Sequence, residues 1–500
     1  MTTQRLAPWI GGRGSADDLV FTPAVEILAL FRARDLSPVE YMEAVVARAE
    51  AAEPSVGALA DTYFPQAIKA ARGAEERYMG RGRRPRALEG LPVAIKDEMA
   101  VAGQRNTQGS LIHRDAPPAE TTAPLAQHVL DNGAIVHART RTPEFSCVPF
   151  THSRLWGVTR NPWNPDYDVG GSSGGSAAAI ASGMTPLAGG SDIGGSIRIP
   201  ASCCGVVGYK PPYGRVAQSP PFNLDHYCHD GPMARTVDDC ALMQNVIVGP
   251  HPVDGVAIRE PLRIPSTTRD IRGWRIALSP DLGDYRVDPD MVRNLWACAD
   301  ALRAGGAVVE EVRLPWTRAT IRAAAGIHFA TIFGPAIQAV MAEHRGEMTD
   351  YAIRFAEETA ADASLGTYLH GLSLEAELYR GLSAILEDYR ALICPTLALP
   401  ALEAGKSYVE RLPTLDGQDL TLYDHLLTIP FNICGRCPVL SVPSGFAKTG
   451  VPTGIQIVGR AYDDVSVFRI GHALERERPW SAERPMIPVP RTEAVAGVSS

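Results

Sequence analysis

The chain has 500 residues, 45% of them hydrophobic and 21% charged, which is ample apolar material for a large folded core and excludes a disordered polymer. A formal net charge of −8 with no long run of one sign argues against a nucleic-acid surface, and no apolar run reaches the ~20 residues that span a bilayer. Nine scattered cysteines, an odd count, argue against a disulfide framework and for reduced thiols in the cytoplasm.

Met1 to Val20 lacks a basic stretch followed by an apolar one, so no signal peptide is expected. Pro23 to Arg34 places Val25, Leu28, Leu30 and Phe31 at helical spacing. Ser37-Pro38-Val39-Glu40 combines an N-cap, a proline at the first helical position and a glutamate at the third, which predicts a helix running to about Ala52. The arginines at 81, 83, 84 and 86 are interrupted by Gly and Pro and read as a solvated loop. Leu91 to Lys96 is a short apolar run ending in a charge, the pattern of a buried strand. Thr121 to Asp131 predicts a helix, stopped at Asn132-Gly133, and Ala134 to His137 the strand after it.

Residues 157 to 214 are dense in Gly, Ser and Pro, yet apolar blocks recur at Ala177–Ile180 and Val206-Val207. A disordered linker does not carry such blocks; backbone packed closely around a site does. Beyond it, strands are predicted at Trp274–Leu278, Val308–Val312, Leu392–Thr396, Val439–Val442 and Ile455–Val458. Helices are predicted at Asp288–Leu302 and Val465–Leu474, with a mostly helical region over about 318–390. The alternation predicts an α/β fold with a mainly parallel or mixed sheet. No repeat and no linker divides the chain, so residues 1–500 read as one domain, with a helical insert near 310–400 as lid or pocket wall.

Three polar sites stand in settings that need explanation. Lys96 ends a buried run; desolvation disfavours its ammonium and turns it toward a general base. Taken alone, a lysine that snorkels to water or pairs with Asp97 is the simpler reading. Ser172 and Ser173 lie within Gly170-Gly171-Ser172-Ser173-Gly174-Gly175, and Ser196 follows Gly194-Gly195. Glycine permits turns that aim successive N–H groups one way, as an oxyanion hole requires. Ile193, Gly194, Gly195 and Ser196 are therefore candidates for both hole and nucleophile. A phosphate loop is rejected: Gly405-Lys406-Ser407 supplies only its last three positions, and Pro400 stands where its first glycine belongs. Gly170-x-Ser172-x-Gly174 also matches the nucleophile elbow of α/β-hydrolases, with His370, His425 and His472 downstream, but this leaves the Ser196 loop unexplained.

The segment GGSSGGSAAAIASGMTPLAGGSDIGGSIRIPASCCGVVGYKP, Gly170 to Pro211, closely resembles the signature of the amidase signature family. The blocks Leu91–Asp97, Gly157–Pro165, Gly231–Val237, Val442–Phe446 and Val451–Gly459 resemble it too, so the likeness spans nearly the whole chain and is weakest over about 250–390. The resemblance implies a large central mixed β-sheet covered by helices on both faces, a signature core at about 80–250, and a variable helical pocket region at about 310–400. It implies a Ser–cis-Ser–Lys triad: Ser196 as nucleophile, Ser172, reached by a cis peptide, as proton relay, and Lys96 as base. It implies an oxyanion hole from Ile193, Gly194 and Gly195 with the N–H of Ser196, hydrolysis of amide-type C–N bonds through an acyl-enzyme, and no metal or organic cofactor. Aryl and alkyl amides, carbamates or urethanes, and esters are the substrate types within its range. The family's catalytic component of the tRNA-dependent amidotransferase is the main alternative, although that protein usually has Gln where this chain has Ile199.

Ser146 and Cys147, in the loop 144–150, are expected at the substrate with Phe329, Ile332, Phe333 and Tyr368 of the helical region; Ser173 is expected among the oxyanion-hole and substrate-binding residues, hydrogen-bonded within its own loop. Asp192 and Arg198 read as a structural ion pair, with contact to an anionic substrate as a second role for Arg198. Cys203-Cys204 and the Cys434-x-x-Cys437 pair read as packing, and His226, Cys228 and His229 lack a fourth metal ligand. Glu98 departs from the Asn frequent after the family's Lys-Asp and puts the tuning of Lys96 in question. The expected partner is a small amide-type molecule, neither nucleic acid nor membrane, and a homodimer stays open.

Overall fold

Eleven strands line up in one mixed sheet in the computed structural model, which describes residues 16–266 and 270–487. In chain order they are β1 Leu59–Thr62, β2 Pro92–Lys96, β3 Ile135–Thr140, β4 Leu187–Asp192, β5 Val207–Lys210, β6 His229–Ala234, β7 Arg275–Leu278, β8 Val308–Glu311, β9 Ala391–Pro395, β10 Val439–Phe446 and β11 Pro452–Gly459. Across the sheet they run β1-β3-β2-β4-β6-β5-β10-β11-β9-β7-β8. The pairs β3/β2, β2/β4, β9/β7 and β7/β8 are parallel, and the other neighbours antiparallel. Most of the stretch Met1 to Val20, for which no signal peptide is expected, lies outside the described residues, which begin at 16.

Helices cover both faces because the central strands are apolar on both. In β2, Val93 and Ile95 enter one hydrophobic cluster and Ala94 the opposite one, as the two-residue strand period requires. The helix Pro38–Val56 begins as its sequence predicts: Ser37 accepts the Val39 N–H, and Glu40 completes a capping box. It runs four residues past the expected end and stops at Gly57, whose left-handed backbone (φ 66°) suits glycine.

The expected helical region resolves into Arg318–Thr331, Phe333–His344, Asp350–Asp362 and Tyr368–Asp388. The first two meet at a 51° bend, and only taken together do they pass a length-and-composition test for a membrane span; among the described residues no single helix is long and apolar enough to cross one. Phe329, Phe333 and Phe355 from the first three helices pack against one another with ring centroids 5.3–6.4 Å apart. They form one wall of the cavity described next.

Candidate active site

Lys96 closes β2 between two other strands and is fully buried. Its Nζ donates to Ser172 Oγ at 2.6 Å and Ser191 Oγ at 2.8 Å, and Glu98 Oε1 lies 3.1 Å away. The lysine therefore neither snorkels to water nor depends on Asp97, which instead accepts from the Thr107 N–H and hydroxyl. Burial pulls the Lys96 amine below its ordinary range, and the charges of Glu98 and Asp230 only partly oppose this. Burial pushes Glu98 the other way, but the Lys96 charge and hydrogen bonds from Ser146, Ser191 and Lys96 win and hold it low. Asp230, on β6 opposite Ser191, is pushed up to about 8 by burial and by the charge of Glu98, which together outweigh the opposing charge of Lys96.

Ser172 lies in the turn that opens the helix Gly174–Ala181, and the Gly171–Ser172 peptide is cis. A Cβ on Gly171 would sit 2.6 Å from the Phe150 backbone N and O, so only glycine fits here. Ser173 N–H donates to the Ser196 carbonyl at 3.1 Å, which ties the two serine loops together. Ser173 Oγ reaches Ser191 of β4 and not a group of its own loop; the residue is fully buried and does not line the cavity described below.

Ser196 sits between β4 and the helix Arg198–Cys204, 7% exposed, at the floor of the cavity. Asp192 organises its loop. Asp192 Oδ1 accepts the Gly195 N–H at 2.9 Å, and Oδ2 accepts the Ile197 N–H at 3.2 Å. Arg198 donates twice more to Asp192 and directs its remaining donors to Thr428 O, Gln456 Oε1 and Asn432 Oδ1, so all its side-chain N–H groups are satisfied. Burial opposes the Asp192 charge, but Arg198, Asn432 and Lys210 outweigh it and hold this carboxyl well below the usual range. The expected ion pair is present, and Arg198 is fully buried and does not line the cavity. Because the Gly195 N–H is committed to Asp192, the loop N–H groups without an internal partner among the described residues are those of Ile193, Gly194 and Ser196. Gly195 (φ 125°) has no room for a side chain, since a Cβ would collide with Thr428.

Above Ser196 opens a cavity of about 310 Å³. Ile193, Ile199, Leu426 and Ile429 line it near the serine, and Phe329, Phe333 and Phe355 form one side. The loop residues Ser146 to Pro149 form another. Phe145 and Ser146 both adopt left-handed backbone, and the Ser146 hydroxyl donates to Glu98 Oε2. Arg322 and Arg354 also line the cavity and pair with Asp362 and Glu358. Ile332 and Tyr368, expected in the pocket, do not line it; Tyr368 is 37% exposed on the outer surface.

Sequence reasoning missed Ser191, Asp230, Thr428, Asn432 and Gln456. The nine cysteines are free, and the Cys434–Cys437 pair is buried in packing. His229 hydrogen-bonds to the Tyr227 and Gly435 carbonyls.

A family profile described as Amidase matches residues 40–468. An acylamidase of Rhodococcus erythropolis is 33% identical over 486 residues, covering 94% of this chain and 98% of its own. The A-type component of the glutamyl-tRNA(Gln) amidotransferase of Chloroflexus aurantiacus is 33% identical over 492 residues, covering 92% and 97%. A solved bacterial aryl acylamidase of the amidase signature enzymes superposes with a TM-score of 0.85 at 29% identity, covering 92% of this chain and 97% of that one. With this profile, these relatives and the mixed eleven-stranded sheet, the chain belongs to the amidase signature family.

Proposed function

We propose that this protein is a free-standing amidase that cleaves apolar amide-type substrates through an acyl-enzyme on Ser196. The observation that carries the reading is the 2.6 Å contact between Lys96 and Ser172, with Ser196 on the adjoining loop. Neutral Lys96 has a lone pair for the Ser172 proton; Ser172 in turn takes the proton of Ser196 as Ser196 Oγ attacks the carbonyl carbon. The N–H groups of Ile193, Gly194 and Ser196 face the negative oxygen of the tetrahedral intermediate. When the intermediate collapses, the C–N bond breaks and the proton returns through Ser172 to the leaving nitrogen. Water then attacks the acyl-enzyme by the same relay and frees the acid and Ser196. The scheme needs no cofactor.

The aromatic wall supports an aryl or long alkyl group on the substrate. The same attack applies to aryl carbamates and esters, whose carbonyl is equally exposed to Ser196. A second reading, the amidase component of a tRNA-dependent amidotransferase, draws on the 33% identity with such proteins. Turnover of anilides, aliphatic amides, aryl esters and aryl carbamates by the isolated chain separates the two. Preference for aryl substrates is the expected result. Preference for small charged amides, or activity only with added partner proteins, contradicts the first reading.

A further inference from the structure

Outside the Ser196 site, the fold gathers four ligand-type side chains that the sequence keeps far apart. Asp225 and His226 lie just before β6, His328 on the helix Arg318–Thr331, and Glu375 on the helix Tyr368–Asp388. His328 Nε2 lies 2.8 Å from Asp225 Oδ1. His226 Nε2 lies 2.9 Å from Glu375 Oε2, and His328 Nδ1 lies 3.8 Å from Glu375 Oε1. One ligand atom from each of Asp225, His226 and His328 falls within 4.8 Å of the other two.

Hydrogen bonding leaves this cluster incomplete. Asp225 Oδ1 accepts from the Tyr227 N–H and meets His328, yet Asp225 Oδ2 and His328 Nδ1 have no hydrogen-bond partner among the described residues. Both residues are almost completely buried, with exposures of 1% and 0%. A buried polar atom left unsatisfied keeps the full cost of its lost hydration, so two in one cluster call for a further partner. The rings are also held rigidly. Tyr227 stacks on His328 at 3.5 Å and 3°, and its hydroxyl holds Glu375 Oε1 at 3.0 Å.

We propose that Asp225, His226 and His328 form a binding site for a zinc-type divalent cation, with Glu375 orienting or completing the set. Two imidazoles with one or two carboxylates are the donors of a borderline transition metal, whereas calcium and magnesium take oxygen-rich shells. Carboxylates hydrogen-bonded to ligand imidazoles are the usual outer support of such ions. His226, whose side chain is 22% exposed, leaves a path from solvent. The role is structural: the ion would join the segment before β6 to two pocket-region helices, next to the wall residue Phe329. The inference rests on this cluster alone and does not depend on the reaction at Ser196.

The test uses the full chain, stripped with a chelator and titrated with zinc alone against a chromophoric competitor, with magnesium as control. Wild type is expected to take up about one zinc per chain and to melt at higher temperature with zinc but not with magnesium. His226→Ala and the isosteric Asp225→Asn are expected to weaken zinc binding by at least about tenfold, and Cys434→Ser to leave it unchanged. Circular dichroism checks that each variant is folded. Folded wild type that takes up no zinc would overturn the proposal. So would zinc bound equally well by both site variants, or lost in folded Cys434→Ser.

Discussion

Glu98 holds a carboxylate oxygen 3.1 Å from the nitrogen of Lys96, so the proposed base carries its own counter-charge. Two effects compete on the amine: burial favours the neutral form, and Glu98 favours the ammonium. Burial wins, yet Glu98 keeps the amine higher than it would otherwise be. Replacing Glu98 by Gln removes that support while keeping an acceptor for the Ser146 hydroxyl. Lys96 then sheds its proton at lower pH, and the acidic limb of the kcat/KM profile moves to lower pH. A limb that stays in place would show that Lys96 is not the group titrating in it.

Asp192 anchors the Ser196 loop by accepting the backbone N–H groups of Gly195, Ile197 and Arg198 and neutralising the Arg198 guanidinium. Asp192→Asn leaves a fully buried guanidinium without its counter-charge, so a loss of about 3–5 kcal/mol in denaturant unfolding is expected. The folded carboxyl titrates well below its unfolded value of ~3.9. Its stabilisation is therefore complete above pH ~4 and is lost as pH falls from there toward the folded pKa. The gap between wild type and variant should be widest at neutral pH and narrow in acid. A gap independent of pH would rule out the charge as its source.

Phe333 is half-buried and offers its ring to both the cavity and Phe355. Phe333→Ala removes aryl contact without opening the main core. Its kcat/KM for anilides is expected to fall about tenfold while that for acetamide-sized substrates changes little. Equal losses on both would point to a distorted floor rather than to lost binding of the aryl group.

What the sequence exposes depends on how far apart the partners lie. Lys96, Ser172 and Ser196 are legible because each sits in a short motif, and around the two serines the glycines betray an unusual backbone. The strands beside them are not. Gly189 and Gly190 make β4 read as loop, and β6 carries Gly231 and Pro232 inside a central strand, where both residues are disfavoured. Asn432 and Gln456 escape notice because each meets Arg198 across more than 200 residues. The Ser196 loop illustrates the remaining limit: four N–H groups can be counted from residues 193–196, but only the fold reveals that Asp192 takes the one from Gly195. The helical region is recognisable by its periodicity. Which of its faces looks inward is not, and Tyr368 consequently lies outside the pocket it was expected to line.

The most direct test of the central claim is to trap the acyl-enzyme. The protein is mixed with an activated aryl carbamate, whose carbamoyl-enzyme hydrolyses slowly, and the digest is read by mass spectrometry. The account predicts one carbamoyl adduct on the peptide carrying Ser196, absent from Ser196→Ala and formed far more slowly in Lys96→Ala. An active enzyme that gives no adduct, or one whose adduct lies elsewhere and persists in Ser196→Ala, would contradict it.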